Sequence, residues 1–125
     1  VDEETIVVTN FAKAVMHEVG FIQQGSIRVS ADIRKLNSNV GVASLKVARI
    51  RNGQKTTIQS WEVSVWEYQT RTVDVSVIPG DTIGVYITGL NSAKAQGRRV
   101  RFSTNGEDLM PAPINIRVEG NRAIT

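Results

Sequence analysis

The chain has 125 residues, which suits one domain, and 15 Lys plus Arg against 12 Asp plus Glu, a mildly basic net charge of +3. Hydrophobic residues at 41% and charged residues at 22% exclude a disordered segment, and no apolar run approaches the ~18 residues of a membrane-spanning helix. Zero Cys and a single His remove disulfide frameworks, thiol nucleophiles and His-cluster metal sites.

The 17 Val and 12 Ile far outnumber the 4 Leu. Side chains branched at Cβ fit a pleated surface, whereas Leu is the usual filler of helix cores. The composition therefore predicts an all-β chain.

Residues 1–4, with Asp2, Glu3 and Glu4, read as a flexible or partner-docked arm. Residues 10–18 are ambiguous between helix and strand, and His17 within them reads as a solvent-face residue rather than a catalytic one. Ile27, Val29, Ala31 and Ile33 alternate with Arg28, Ser30, Asp32 and Arg34, the pattern of a half-buried strand. Asn52-Gly53 is the strongest local signal, because both residues tolerate the positive φ of a type I′ hairpin turn. It joins a strand over about 42–51 to one over about 55–65, and a phase change from Leu45 and Val47 to Ala48 and Ile50 suggests a bulge. Val73, Val75 and Val77 alternate up to the Pro79-Gly80-Asp81 turn, and Ile83, Val85 and Ile87 continue after it. Val100 and Phe102, then Ile114, Ile116 and Val118, complete the alternating segments.

About eight strands with short loops, one wet face and one dry face predict an antiparallel β-sandwich of jelly-roll type, one domain over residues 1–125. The predicted core is Ile27, Val29, Ile33, Val47, Val75, Val77, Ile83, Val85, Ile87, Val100 and Phe102.

No phosphate loop or dinucleotide fingerprint is present, so no cofactor is expected. Asp32, Asp74 and Asp81 lack the spacing of a calcium loop and read as solvated strand or turn residues. With no catalytic constellation, the chain is expected not to be an enzyme.

Two sets of residues remain. Trp61 shares a strand face with Val63 and Val65, which puts Trp66 and Tyr68 on the other face. With Trp61 in the core, that pair is free to stack on a glycan or anchor a protein; a sheet switch near residue 65 would bury both instead. Arg98, Arg99 and Arg101 form the second set, with Arg99 and Arg101 facing one way on a regular strand. Nucleic-acid binding needs several phosphate contacts interleaved with stacking aromatics. Only Phe102 is near, and parity pairs it with Val100 in the core. The arginines therefore read as a protein-interface set rather than a nucleic-acid site, with Asp2, Glu3 and Glu4 as acidic complements in self-association.

Three stretches carry a resemblance. They are the strand Gly25 to Arg34, the strand and hairpin Val47 to Gln54, and the strand, turn and strand from Val75 to Tyr86. In this order they resemble small β-sandwich modules of bacteriophage virion structural proteins: tail, baseplate, fibre or capsid-attached components. The resemblance spans about residues 13–90, although this chain is richer in Arg than such modules commonly are. It implies a non-enzymatic homo-oligomer that docks onto other virion proteins, made in the host cytoplasm before assembly. A host-surface glycan or receptor contact at Trp66 and Tyr68 is the alternative.

Overall fold

The computed structural model describes residues 5–8, 13–36, 41–91, 93–104, 107–108 and 114–119, with side chains described between Met16 and Ser103 except His17. Residues 1–4, with Asp2, Glu3 and Glu4, and the His17 side chain lie outside the described residues.

The strands are β1 (Thr5–Val8), β2 (Lys13–Gly20), β3 (Gly25–Lys35), β4 (Val42–Arg51), β5 (Gln54–Val63), β6 (Gln69–Val77), β7 (Thr82–Leu90), β8 (Ala95–Thr104), β9 (Glu107–Asp108) and β10 (Ile114–Glu119). Ten strands are described rather than about eight, since β1 and β9, of 4 and 2 residues, are too short to show an alternating pattern. The ambiguous segment after residue 10 is strand β2.

The front sheet has the order β1-β8-β3-β6, with β9 beside β8, and the back sheet the order β10-β2-β7-β4-β5. The antiparallel pairs β4–β7, β3–β8 and β2–β10 are nested in sequence and alternate between the sheets. This is a two-stranded ribbon rolled into two layers, a jelly roll. Between the layers lies one apolar core, and all eleven residues of the predicted core are buried in it. Each fully buried Val or Ile contributes about 1.5–3 kcal/mol by leaving water.

The expected bulge in β4 is not there. The β4–β7 register runs unbroken, and the extra residue, Ile58, sits on β5 opposite Val47 and Ala48. Ala48 points to the outer face of the back sheet, where it is buried with Tyr86. Tyr86 lies flat over Gly84, and a Cβ at that position would collide with its ring. Its hydroxyl donates to Glu18 at 3.3 Å, and Lys55 Nζ stands 4.3 Å from the ring centroid. The apparent phase slip is thus a second, small apolar layer on the outside of the back sheet.

The turn residues behave as their chemistry demands. Asn52 and Gly53 have φ of 54° and 76°, the I′ conformation. In the Ile78-Pro79-Gly80-Asp81 turn, Gly80 has φ 95° and the Asp81 amide donates to the Ile78 carbonyl at 3.0 Å. Asp81 is buried rather than solvated, contrary to expectation. Arg51, at the foot of the Asn-Gly hairpin, grips it with two hydrogen bonds of 2.8 and 2.7 Å, and the Ile78 amide adds a third at 2.9 Å. One carboxylate therefore ties the two turns at this end together, and the Arg51 hydrogen bonds hold its pKa below the usual range.

Gly53→Val should cost about 1–3 kcal/mol, all of it backbone strain, because nothing lies within 4 Å of where its Cβ would stand. An unchanged thermal midpoint would contradict the turn geometry.

Because the folded pKa of Asp81 lies below its unfolded value, the stabilisation it brings is complete above about pH 4 and is lost as acid protonates the folded carboxylate. Asp81→Asn should therefore melt lower than the parent at neutral pH, with the gap narrowing below about pH 4. A gap that stays constant through acid melts would show that the ion pair adds nothing.

Candidate functional site

The outer face of the front sheet is built by β6, β3 and β8. Along β3 the outward residues are Arg28, Ser30, Asp32 and Arg34, and each meets a polar partner on a neighbouring strand. Arg28 Nε donates to Asp74 at 2.9 Å, and the Ser30 hydroxyl lies 2.9 Å from that of Thr72. Thr70 donates to Asp32 Oδ1 at 2.8 Å, and Arg34 Nε donates to Gln96 at 2.7 Å. The Arg28 hydrogen bond lowers the pKa of Asp74.

A bulge in β8 breaks the expected basic stripe. Ser30 faces Arg101 and Asp32 faces Arg98, so Ala31 stands opposite both Arg99 and Val100. Arg99 takes φ 57°, the left-handed conformation that such bulges require. For a non-glycine residue this costs about 1–3 kcal/mol. Arg98 and Arg101, three residues apart, would face opposite sides of a regular strand; the bulge turns both outward while Val100 stays in the core.

Both arginines converge on Asp32. Arg98 Nε donates at 3.2 Å to Oδ2, and Arg101 Nη2 makes a longer contact of 3.5 Å to Oδ1. The Asp32 side chain is 6% exposed while those of Arg98 and Arg101 are 34% and 40% exposed, so the carboxylate is sealed beneath guanidinium groups that still reach solvent. Asp32 is therefore not the solvated strand residue expected. A buried carboxylate is tolerated only when its lone pairs are filled, as here by Thr70 and the two arginines.

Trp66 and Tyr68 lie on the loop between β5 and β6, where the chain crosses from back sheet to front. The crossing does not bury both. Trp66 is 69% exposed, whereas Tyr68 is half-buried. The Arg98 guanidinium lies 3.8 Å and that of Arg34 4.6 Å from the Tyr68 ring centroid. Such contacts are worth about 0.5–2 kcal/mol and fix the planes of both guanidinium groups. The Val65 carbonyl accepts from the Lys35 amide at 2.9 Å, which pins the loop to the end of β3. Trp61 packs against the core from the side.

The structure thus joins residues that the sequence kept in separate sets. Arg98 and Arg101 share Asp32, Arg98 and Arg34 share Tyr68, and Trp66 lies two residues before Tyr68 on the same loop. Arg34 and Asp32 were legible only as members of an alternating strand, since their partners lie more than 30 residues away. The three aspartates weighed as a cation site are each paired with arginine instead, and no cluster of three His, Cys, Asp or Glu occurs among the described residues. Nor, among those residues, is any helix long and apolar enough to cross a membrane.

No family model and no curated protein matches the chain in sequence. Among solved structures it is similar to a family 16 carbohydrate-binding module, at 8% identity and a TM-score of 0.54, over 78% of this chain and 74% of that one. It is similar to murine APRIL at 10% identity and a TM-score of 0.50, over 78% of this chain and 99% of that one. The empty particles that form the top component of cowpea mosaic virus match at 9% identity and a TM-score of 0.46, over 88% and 91%. At these identities the first two likenesses show the β-sandwich fold.

Asp32→Ala should lower stability by about 1–3 kcal/mol, the usual cost of stripping partners from a half-buried polar cluster. The loss should exceed that of Asp74→Ala, whose pair with Arg28 is exposed. Equal denaturation midpoints for the two variants would remove Asp32 from its central role.

Proposed function

We propose that the chain is a non-enzymatic structural module of a bacteriophage virion, which self-associates and docks onto other virion proteins. The observation that carries this reading is the bonded state of the outer front face. Arg28, Ser30, Asp32 and Arg34 each hold a cross-strand partner. Solvated arginines lose rotamer freedom when a partner docks, at about 0.5–1.5 kcal/mol for each side chain immobilised. Arginines already held by Asp74, Asp32, Gln96 and Tyr68 have less freedom left to lose. A planar guanidinium group suits bidentate pairing with carboxylates across an interface. The likeness of residues 13–90 to phage virion modules supports the same reading.

A second reading is favoured by one observation: the indole of Trp66, 69% exposed on a loop pinned at the end of β3. Such a ring suits a carbohydrate or receptor contact, and the β-sandwich fold serves carbohydrate binding in the family 16 module.

Light scattering on the eluting protein should give an oligomer. Deleting residues 1–4, or changing Arg99 and Arg101 to Glu, should reduce its mass and its incorporation into particles, with melting curves taken as the folding control. Rim pairs of this kind steer association, so added salt should slow assembly. A parent chain that stays monomeric and enters no particle would contradict the proposal.

A further inference from the structure

We infer that the Trp66 loop and the arginines braced on Tyr68 form one binding site for a saccharide that bears a carboxylate. The inference rests on the glycan reading of Trp66 and assigns it a ligand class.

The charge count comes first. Arg98 and Arg101 share one carboxylate, Asp32, the Arg34 partner is the neutral Gln96, and Glu67 is exposed on the loop between Trp66 and Tyr68. Three guanidinium groups against two carboxylates, Asp32 and Glu67, leave one positive charge in excess on a surface only partly open to water. Such a site attracts an anion more strongly than isolated surface arginines do, because screening is weaker at partly buried charges.

Geometry gives the excess charge a direction. Arg34 and Arg98 use Nε on Gln96 and Asp32 respectively, and both hold their guanidinium carbons over the Tyr68 ring. Their Nη groups make no further hydrogen bond among the described residues. These donors are held in the forked arrangement that matches a carboxylate. The Tyr68 ring is covered by these arginines and is not itself the stacking surface. It is a positioning residue, and the platform is Trp66 alone.

The chemistry selects among anions. Trp66, two residues from Tyr68, is the one aromatic side chain mostly exposed among the described residues. A single indole beside a carboxylate fork fits one sugar ring carrying an acid group, with the ring's C–H face on the indole and its carboxylate on the arginines. A nucleic-acid strand would call for repeated stacking platforms along a basic groove, and one platform does not provide them.

The test is titration calorimetry of the whole chain with a panel of carboxylated oligosaccharides, such as oligogalacturonate and oligosialate. Methyl esters of the same oligosaccharides are the neutral probes and polyglutamate is the non-sugar polyanion. At least one acidic saccharide should bind, with affinity on the order of tenfold above its ester, the value of one charge-assisted hydrogen bond. Trp66→Ala and Arg34→Gln should each reduce that affinity, and Tyr68→Phe, which keeps the ring, should retain it. Arg34→Gln removes none of the hydrogen bonds that Thr70, Arg98 and Arg101 make to Asp32, and a thermal melt of each variant is the folding control.

Equal binding of acid and ester, unmoved by Arg34→Gln, would overturn the carboxylate assignment and leave the glycan reading standing. No binding of any saccharide would overturn both. Polyglutamate binding as tight as the best saccharide and indifferent to Trp66→Ala would reduce the face to a general attraction for polyanions, and the inference would fail.

Discussion

The buried carboxylate of Asp32 is the constraint around which the outer face of the front sheet is arranged. It sits on β3, between β8 and β6, and four side chains depend on it directly or through one neighbour. Arg98 and Arg101 hold it from β8 and Thr70 from β6, while Arg98 in turn presses on Tyr68. Leaving this carboxylate without partners would be costly in a site so shielded from water. That requirement gives a physical purpose to the strained backbone at Arg99. Without the bulge one of the two arginines would point into the core, where Val100 and Phe102 already fill the space.

The two ends of the sandwich follow a similar rule with different partners. At the hairpin end Asp81 is closed by Arg51 and by the Ile78 amide, so a turn that the Pro-Gly pair initiates is completed by an ion pair from another strand. Arg49 reaches across at the same end to the Ser76 carbonyl, joining back sheet to front. At the other end the Lys35 and Leu36 amides donate to Val65 and Lys94, which fixes the β5–β6 and β7–β8 loops to the end of β3. The apolar core supplies the bulk of the stability, and these polar ties determine where the loops lie. Placement of the β5–β6 loop is what brings Tyr68 to Arg34 and Arg98, with Trp66 two residues before it.

Most of the architecture was legible because strands have a period of two. Ile27, Val29 and Ile33, or Ile83, Val85 and Ile87, declare their buried face without reference to any partner strand. The Asn52-Gly53 turn was legible for an equally local reason, as only a few residue types accept its backbone angles. The site was legible only in fragments. Arg98 and Arg101 were noticed as a basic run, but a bulge at Arg99 has no reliable local signature when the left-handed residue is not glycine, so their directions were misassigned. Ala48 was misread for a related reason. An alternating pattern cannot distinguish a bulge from a second apolar layer, and the layer exists because Tyr86, two residues beyond Gly84, folds back over it. Asp32 and Asp81 looked solvated because their covering arginines are distant in sequence.

The central claim is that Asp32 holds Arg98 in a fixed position before any partner arrives. The most direct measurement is a proton–nitrogen NMR spectrum of the arginine Nε–H groups near neutral pH, in the parent chain and in Asp32→Asn. Fixed guanidinium groups give dispersed, slowly exchanging signals. The account predicts such a signal for Arg98, its collapse toward the solvent-averaged envelope in the variant, and no change at Arg28 or Arg51, which hold other carboxylates, or at Arg101, whose Nε donates to the Arg99 carbonyl. An Arg98 signal already inside the averaged envelope in the parent would contradict it.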